Sequence, residues 1–214
     1  MVDGIQFAET ELTRQSLFPP LIANLFDGGA ESVSVEASRF FHRANIISTM
    51  SQVMIPARAL DTVGPSDPHL PLVSDWDLYL RLAERYPATF IKRRLTRWRY
   101  HERSASGPAM LRELRWGEDG VSMLAKHLQQ APRERRKPVR AALRSHLFMT
   151  AQAAYYRAEA GQREVGLTAL KRLLPWTHVS AAPLAFLLAA YSPAWLKRAL
   201  GGVVRTALKV RSSL

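Results

Sequence analysis

An α+β fold is expected from three features of this 214-residue chain. Residues 53–55 and 95–100 alternate between two sides with the period of a strand, and residues 75–85 place apolar side chains three and four apart, as a helix does. After Gly107-Pro108 only the helical period remains. The chain therefore divides into a first region, 1–106, of helices around a small sheet, and a basic all-helical region, 107–214, that contains a helical hairpin.

Taken in order, residues 1–40 read as irregular: Pro19-Pro20 and Gly28-Gly29 interrupt short apolar stretches, and loops with short helices are expected. Val53 and Ile55 share one side of a strand that Pro56 stops, because proline has no N–H for a ladder, and a short helix follows at 57–62. Gly64-Pro65-Ser66-Asp67-Pro68 is a turn cluster. Trp76, Tyr79, Leu80 and Ala83, widened by Leu78 and Leu82, make 75–85 an amphipathic helix that Tyr86-Pro87 ends. Thr89-Phe90-Ile91 and 95–100 are two further strands of the same small sheet.

In the second region, 110–130 is helical, 133–137 is a solvated charge run, and Pro138 suits the first turn of a helix reaching Ala160. Gly161 breaks that helix, and 162–174 forms another closed by Pro175, so 139–175 is a hairpin similar to a single tetratricopeptide-like unit. Residues 173–196 lack Lys, Arg, Asp and Glu, yet Pro175, His178, Pro183 and Pro193 leave only 184–191 as uninterrupted apolar helix, too short to span a bilayer that needs about 20 residues. The 193–210 segment sets Trp195, Leu196, Leu200, Val203, Val204 and Leu208 against Lys197, Arg198, Arg205 and Lys209, a pattern able to lie on an anionic surface or to pack on its own domain.

Composition narrows the function. With 47% hydrophobic residues the chain can bury a core, and with no cysteine it has neither disulfides nor a thiolate nucleophile. Met1-Val2-Asp3-Gly4 is unlike a secretion signal, so a cytoplasmic location is expected, peripheral on the inner face of the membrane if the basic helices bind there. The net charge of +12 is uneven: residues 1–130 hold 15 Lys/Arg and 15 Asp/Glu, whereas 131–214 hold 15 and 3. Such a region attracts an anionic membrane surface, an acidic partner or nucleic acid, the last being weakest because no nucleic-acid motif accompanies it. No Ser-His-Asp arrangement, phosphate-cradling glycine loop or His-x-x-x-His pair supports a hydrolase or nucleoside triphosphatase.

The segment Ser74-Asp75-Trp76-Asp77-Leu78-Tyr79-Leu80-Arg81-Leu82, followed by Arg99-Tyr100-His101-Glu102-Arg103, resembles the acceptor half of an inverting glycosyltransferase of family 2. Ala44-Asn45-Ile46-Ile47 and Arg58-Ala59-Leu60-Asp61-Thr62-Val63-Gly64 stand where that family has Gly-Asn-Phe-Ile and its Arg-x-x-Leu-x-x-Val-Gly-Gly-Phe-Asp-Glu segment, so the likeness covers about residues 40–106. It implies a truncated GT-A core without the nucleotide-binding half and its Asp-x-Asp metal motif. Asp75-Trp76-Asp77 lies in the later helix-opening position and is not expected to hold the metal.

The resemblance assigns Asp75 as the base that deprotonates the acceptor hydroxyl, His101 and Arg99 to the vicinity of the diphosphate or metal, and Gly64, Asp67, Trp76 and Asp77 to the acceptor side. Mg²⁺ or Mn²⁺ is expected for the complete enzyme and no metal for this chain alone. Structural readings stand beside these: Ser74-x-x-Asp77 fits a capping box, Trp76 fits a core position, and Arg99 fits a solvated strand face. Two functions are expected in competition. One is a portion of an enzyme moving a sugar from a nucleotide-sugar to a cell-envelope glycan or lipid-linked acceptor, inactive without its donor half. The other is a non-catalytic module that binds an anionic membrane or acidic partner through its basic helices.

Overall fold

The structure, a computed structural model, describes residues 5–10, 24–26, 28–47, 50–96 and 114–192. The expected region 97–113, with Arg99 and His101, and the basic 193–214 segment lie outside the described residues. The class is α+β. Strands β1 (Ile5–Thr10), β2 (Ser32–Val35), β3 (Val53–Met54) and β4 (Ala88–Thr96) make one mixed sheet in the order β2-β4-β1-β3. β4 runs parallel to β1, with Ile5 opposite Ala88 and Phe7 opposite Phe90, and antiparallel to β2, with Val35 opposite Ala88. β3 pairs antiparallel with β1.

Two of these strands fall where loops with short helices are expected. β2 carries the signal plainly in Ser32-Val33-Ser34-Val35, whose valines turn inward from exposed serines. The two strands expected at 89–91 and 95–100 are, over 88–96, one continuous strand. Its first half is core, with Ala88 and Phe90 fully buried, and its second half carries the exposed Lys92 and Arg93 outward while the ladder to β1 continues.

The helices are α1 (Ser38–Phe41), α2 (Ala57–Val63), α3 (Ser74–Ala83), α4 (Arg115–Gln130), α5 (Arg133–Glu159), α6 (Arg163–Leu173) and α7 (Ala182–Tyr191). α2 ends at Gly64, whose φ of 78° is open to glycine at little cost and whose N–H closes on the Leu60 carbonyl at 2.8 Å. α5 starts at Arg133, before the proline expected to open it: the N–H groups of Arg135 and Arg136 reach the Pro132 carbonyl, and Pro138 stands inside the helix. Gly161, at φ 90°, makes the expected break between α5 and α6. Among the described residues no helix is long and apolar enough to cross a membrane.

Residue contacts divide the chain into two compact units. The first takes in the described residues up to 96 together with Asp119–Leu143, and the second takes in 114–118 and 144–192. The first unit's core stacks α3 on α1 and the sheet: Phe41 meets Tyr79 at 5.9 Å between ring centroids, Phe40 meets Phe90 edge-on at 6.4 Å, and Leu80 and Leu82 are fully buried. In the second unit α5 and α6 cross closely at Gly166, where an added Cβ would lie 2.3 Å from the Ala154 carbonyl oxygen, and Phe186 of α7 packs on Phe148 and Tyr155.

Candidate functional site

The site is built around the N-terminal turn of α3. The backbone N–H of Asp77 reaches the Val73 carbonyl at 2.9 Å, and no side chain caps the helix. The expected Ser74–Asp77 capping box is therefore not formed: Ser74 is the first helical residue, and the Asp77 carboxylate points to other partners. Asp75, in that first turn, is half-buried. Its Oδ1 accepts the Trp76 N–H at 2.7 Å, and Oδ2 stands 3.5 Å from the Asn45 amide nitrogen. Asn45 is in turn oriented by the Ile47 N–H, which donates to its Oδ1 at 3.1 Å. Burial pushes the Asp75 carboxyl above its ordinary range, with the Trp76 N–H and the Asn45 amide opposing it in part. A carboxylate whose proton affinity is raised, at the open end of a helix, is suited to remove a proton from a hydroxyl.

Asp77, two residues on, has the opposite surroundings. It is fully buried, and its oxygens are taken by Arg81 Nε at 2.8 Å, His127 Nε2 at 3.0 Å and Lys126 Nζ at 3.4 Å. Burial would raise this carboxyl, but the hydrogen bond from His127 and the charges of Arg81, His127 and Lys126 overcome it and hold the group at about 2. Glu84, also held at about 2 against its burial, sits 3.3 Å from His42 Nε2 and 3.9 Å from His127 Nδ1. His127 is pushed down by burial and pulled up further by Asp77 and Glu84, with a net rise. An imidazolium bridging two carboxylates thus ties α3 to α4.

The same network fixes the turn after α2. The Arg81 guanidinium donates to the carbonyls of Val63, Gly64 and Pro65, the last at 2.9 Å, and Arg85 donates to that of Thr62 at 3.3 Å. Asp67 is bound by Lys126 at 2.8 Å and accepts the His69 N–H at 2.9 Å, and both lower its carboxyl below the ordinary range.

The structure therefore brings Asp75 together with Asn45, and holds the Gly64 turn and Asp67 against α3 and α4. It does not turn the other expected acceptor-side residues toward a ligand. Trp76 is fully buried, with Nε1 donating to the Phe41 carbonyl at 2.7 Å, so its ring is core and offers no face to a sugar. Asp77 is the hub of a buried ion network rather than an acceptor contact, and Asp67 is an anchor. Arg99 and His101 lie outside the described residues.

Reading the sequence misses Lys126, His127, His42 and Glu84. Glu84 could have been found from its position two turns after Asp77, on the same side of the helix. His127 stands 50 residues from its partner, and no local pattern marks it.

Among the described residues no three His, Asp or Glu side chains gather in a way that could hold a metal ion, and Asp77 has its oxygens already occupied. In the second unit His146 is buried, donates to the Gly117 carbonyl at 3.2 Å, and is pushed by burial to about 4, which makes it a neutral core residue at pH 7. Compared with models of protein families, with curated proteins and with solved structures, the chain matches none.

Proposed function

We propose that these residues form the acceptor side of an inverting glycosyltransferase with a truncated GT-A core, the donor nucleotide-sugar being held by chain outside them. The observation that supports this reading is Asp75: a half-buried carboxylate of raised proton affinity at the tip of α3, positioned by Asn45, with every neighbouring acid on α3 and its adjoining turn committed to an ion pair. In the reaction Asp75 takes the acceptor hydroxyl's proton as its oxygen attacks the anomeric carbon. A new C–O bond forms, the bond to the diphosphate breaks with its electron pair leaving on the diphosphate, and the configuration inverts. A divalent cation, Arg99 and His101 belong to the diphosphate side of this proposal.

The test is transfer by the chain combined with a donor-binding region supplied by a neighbouring reading frame. Asp75→Asn should lower the rate about 10²- to 10⁴-fold, the usual worth of a general base. An unchanged rate would remove the base assignment.

A second reading is favoured by the excess of 15 Lys/Arg over 3 Asp/Glu in 131–214 and by the outward Leu184, Leu188 and Tyr191 of α7, which are 44%, 60% and 57% exposed. It is attachment to an anionic membrane surface. Flotation with vesicles containing phosphatidylserine should depend on lipid charge and weaken without 193–214; equal flotation with neutral vesicles would exclude it.

A further inference from the structure

One turn along α3 from Asp75, at Leu78, the first unit carries an open groove of about 540 Å³ that the proposed proton transfer does not use. Met50, Ile55, Leu60 and Leu78 give it an apolar lining, and Asp61 and the turn that begins at Gly64 complete it. Met50 and Leu60 remain 52% and 38% exposed. Its volume is in the range of small-ligand sites, and clustered apolar side chains left open to water mark places where something binds.

The groove is joined to the base through α3. Leu78 follows Asp75 by three residues and so lies on the same side of the helix one turn along. On the other wall, the Tyr79 hydroxyl donates to Met50 Sδ at 2.7 Å, and Tyr79, one turn from Asp75, has its hydroxyl pushed up by burial and then by the Asp75 charge.

We propose that this groove holds the hydrocarbon part of an amphiphilic acceptor, a sugar or alcohol carried on an apolar chain, whose hydroxyl then lies at Asp75. The inference rests on the glycosyl-transfer reading and narrows its substrate to a lipid-borne acceptor. The lining chooses among occupants. A free glycan needs several hydrogen-bonding side chains or an exposed aromatic face, whereas this lining has no aromatic ring and only Asp61 and Ser66 as polar side chains. A polyanion is opposed by Asp61, the charged side chain of the lining. A flexible alkyl chain asks for adaptable apolar walls, and methionine supplies one.

The test uses the full chain with ¹³C-labelled methionine methyl groups, titrated with n-octyl β-D-glucoside below its micelle concentration, with the hexyl glucoside, and with glucose. Met50 should shift with the octyl compound, with about fifteenfold weaker affinity for the hexyl compound, since each of the two missing methylenes is worth about fourfold in binding. Glucose should leave Met50 unmoved, and Met149 in the second unit should move with none of them. Leu60→Glu, at an exposed position that a charge can occupy without unfolding, should abolish the Met50 shift. Met50 shifting equally with glucose, no Met50 shift with any probe, or self-association that covers the groove in sedimentation would each overturn the proposal. The two readings fail separately: Asp75-dependent transfer to a water-soluble glycan without a Met50 shift sinks the groove alone, whereas alkyl binding with transfer indifferent to Asp75→Asn sinks the base.

Discussion

Asp75 and Asp77 stand two residues apart on one helix and differ in almost everything that matters chemically. Two positions along an α-helix face nearly opposite sides, so one carboxylate, in the first turn of α3, meets Asn45 while the other points into the packing between α3 and α4. Burial opposes ionisation at both. At Asp75 the Asn45 amide and two backbone N–H groups, those of Trp76 and of Asp75 itself, offset it only partly, and the carboxyl stays above its ordinary range; at Asp77 a guanidinium, an imidazolium and an ammonium reverse it, and the carboxyl titrates at about 2. The partners supplied, rather than the residue type or the degree of burial, decide which acid is available for proton transfer and which is a bolt in the frame.

Removing the bolt should have the largest effect. Asp77→Ala takes the nearer carboxylate from the buried His127 and the charge partner from Arg81, and breaking a buried pair from one side costs about 3–5 kcal/mol, so urea unfolding should show a loss of that size. Trp76→Phe, between the two acids, removes the indole hydrogen bond to Phe41 and part of the packed ring; about 1–3 kcal/mol is expected in the same measurement.

The pH dependence separates the members of the network. Asp77 and Glu84 are depressed from 3.8 and 4.5 to about 2, so their stabilisation is complete above those ordinary values and fades as pH falls toward 2. His127 is raised, so its contribution is complete below 6.5 and fades as pH climbs through its folded value. Melting temperature followed against pH should therefore fall on both sides, and His127→Gln should flatten the alkaline side while leaving an acid limb from Glu84.

Asp75→Asn should give the smallest change in stability, under about 1 kcal/mol and toward greater stability at pH 7. Its carboxyl is raised, so the charged form is the one that folding disfavours, and the amide removes that cost. A large destabilisation there would make Asp75 a second structural acid.

How much of this was legible in the sequence follows from the range of the forces involved. The stripe of Trp76, Tyr79, Leu80 and Ala83 predicts α3, and the positive φ of Gly64 and Gly161 falls at the expected turn and break, because these are local effects of period and backbone freedom. β1 and β2 were hidden behind the Pro-Pro and Gly-Gly punctuation around them, and both are secured by pairing with strands far along the chain, β1 with β3 and β4 and β2 with β4. β4 reads as two strands because Lys92, Arg93 and Arg94 break its apolar alternation, and the ladder to β1 carries the backbone through them.

The site divides in the same way. Asp75 is marked by its place at a helix start, but the fate of Asp77 depends on Lys126 and His127, 49 and 50 residues away, which no spacing within α3 foretells. The capping box failed for that reason: a buried imidazolium and guanidinium are stronger partners for a carboxylate than a neighbouring backbone N–H.

The contrast between the two acids can be measured directly by carboxyl-detected NMR titration of the intact chain labelled at aspartate. Asp75 should titrate above 3.8 and Asp77 at about 2, with Asp77→Ala removing the lower transition alone. Two overlapping transitions near 3.8, or the lower one belonging to Asp75, would contradict the division of labour on which the proposed chemistry depends.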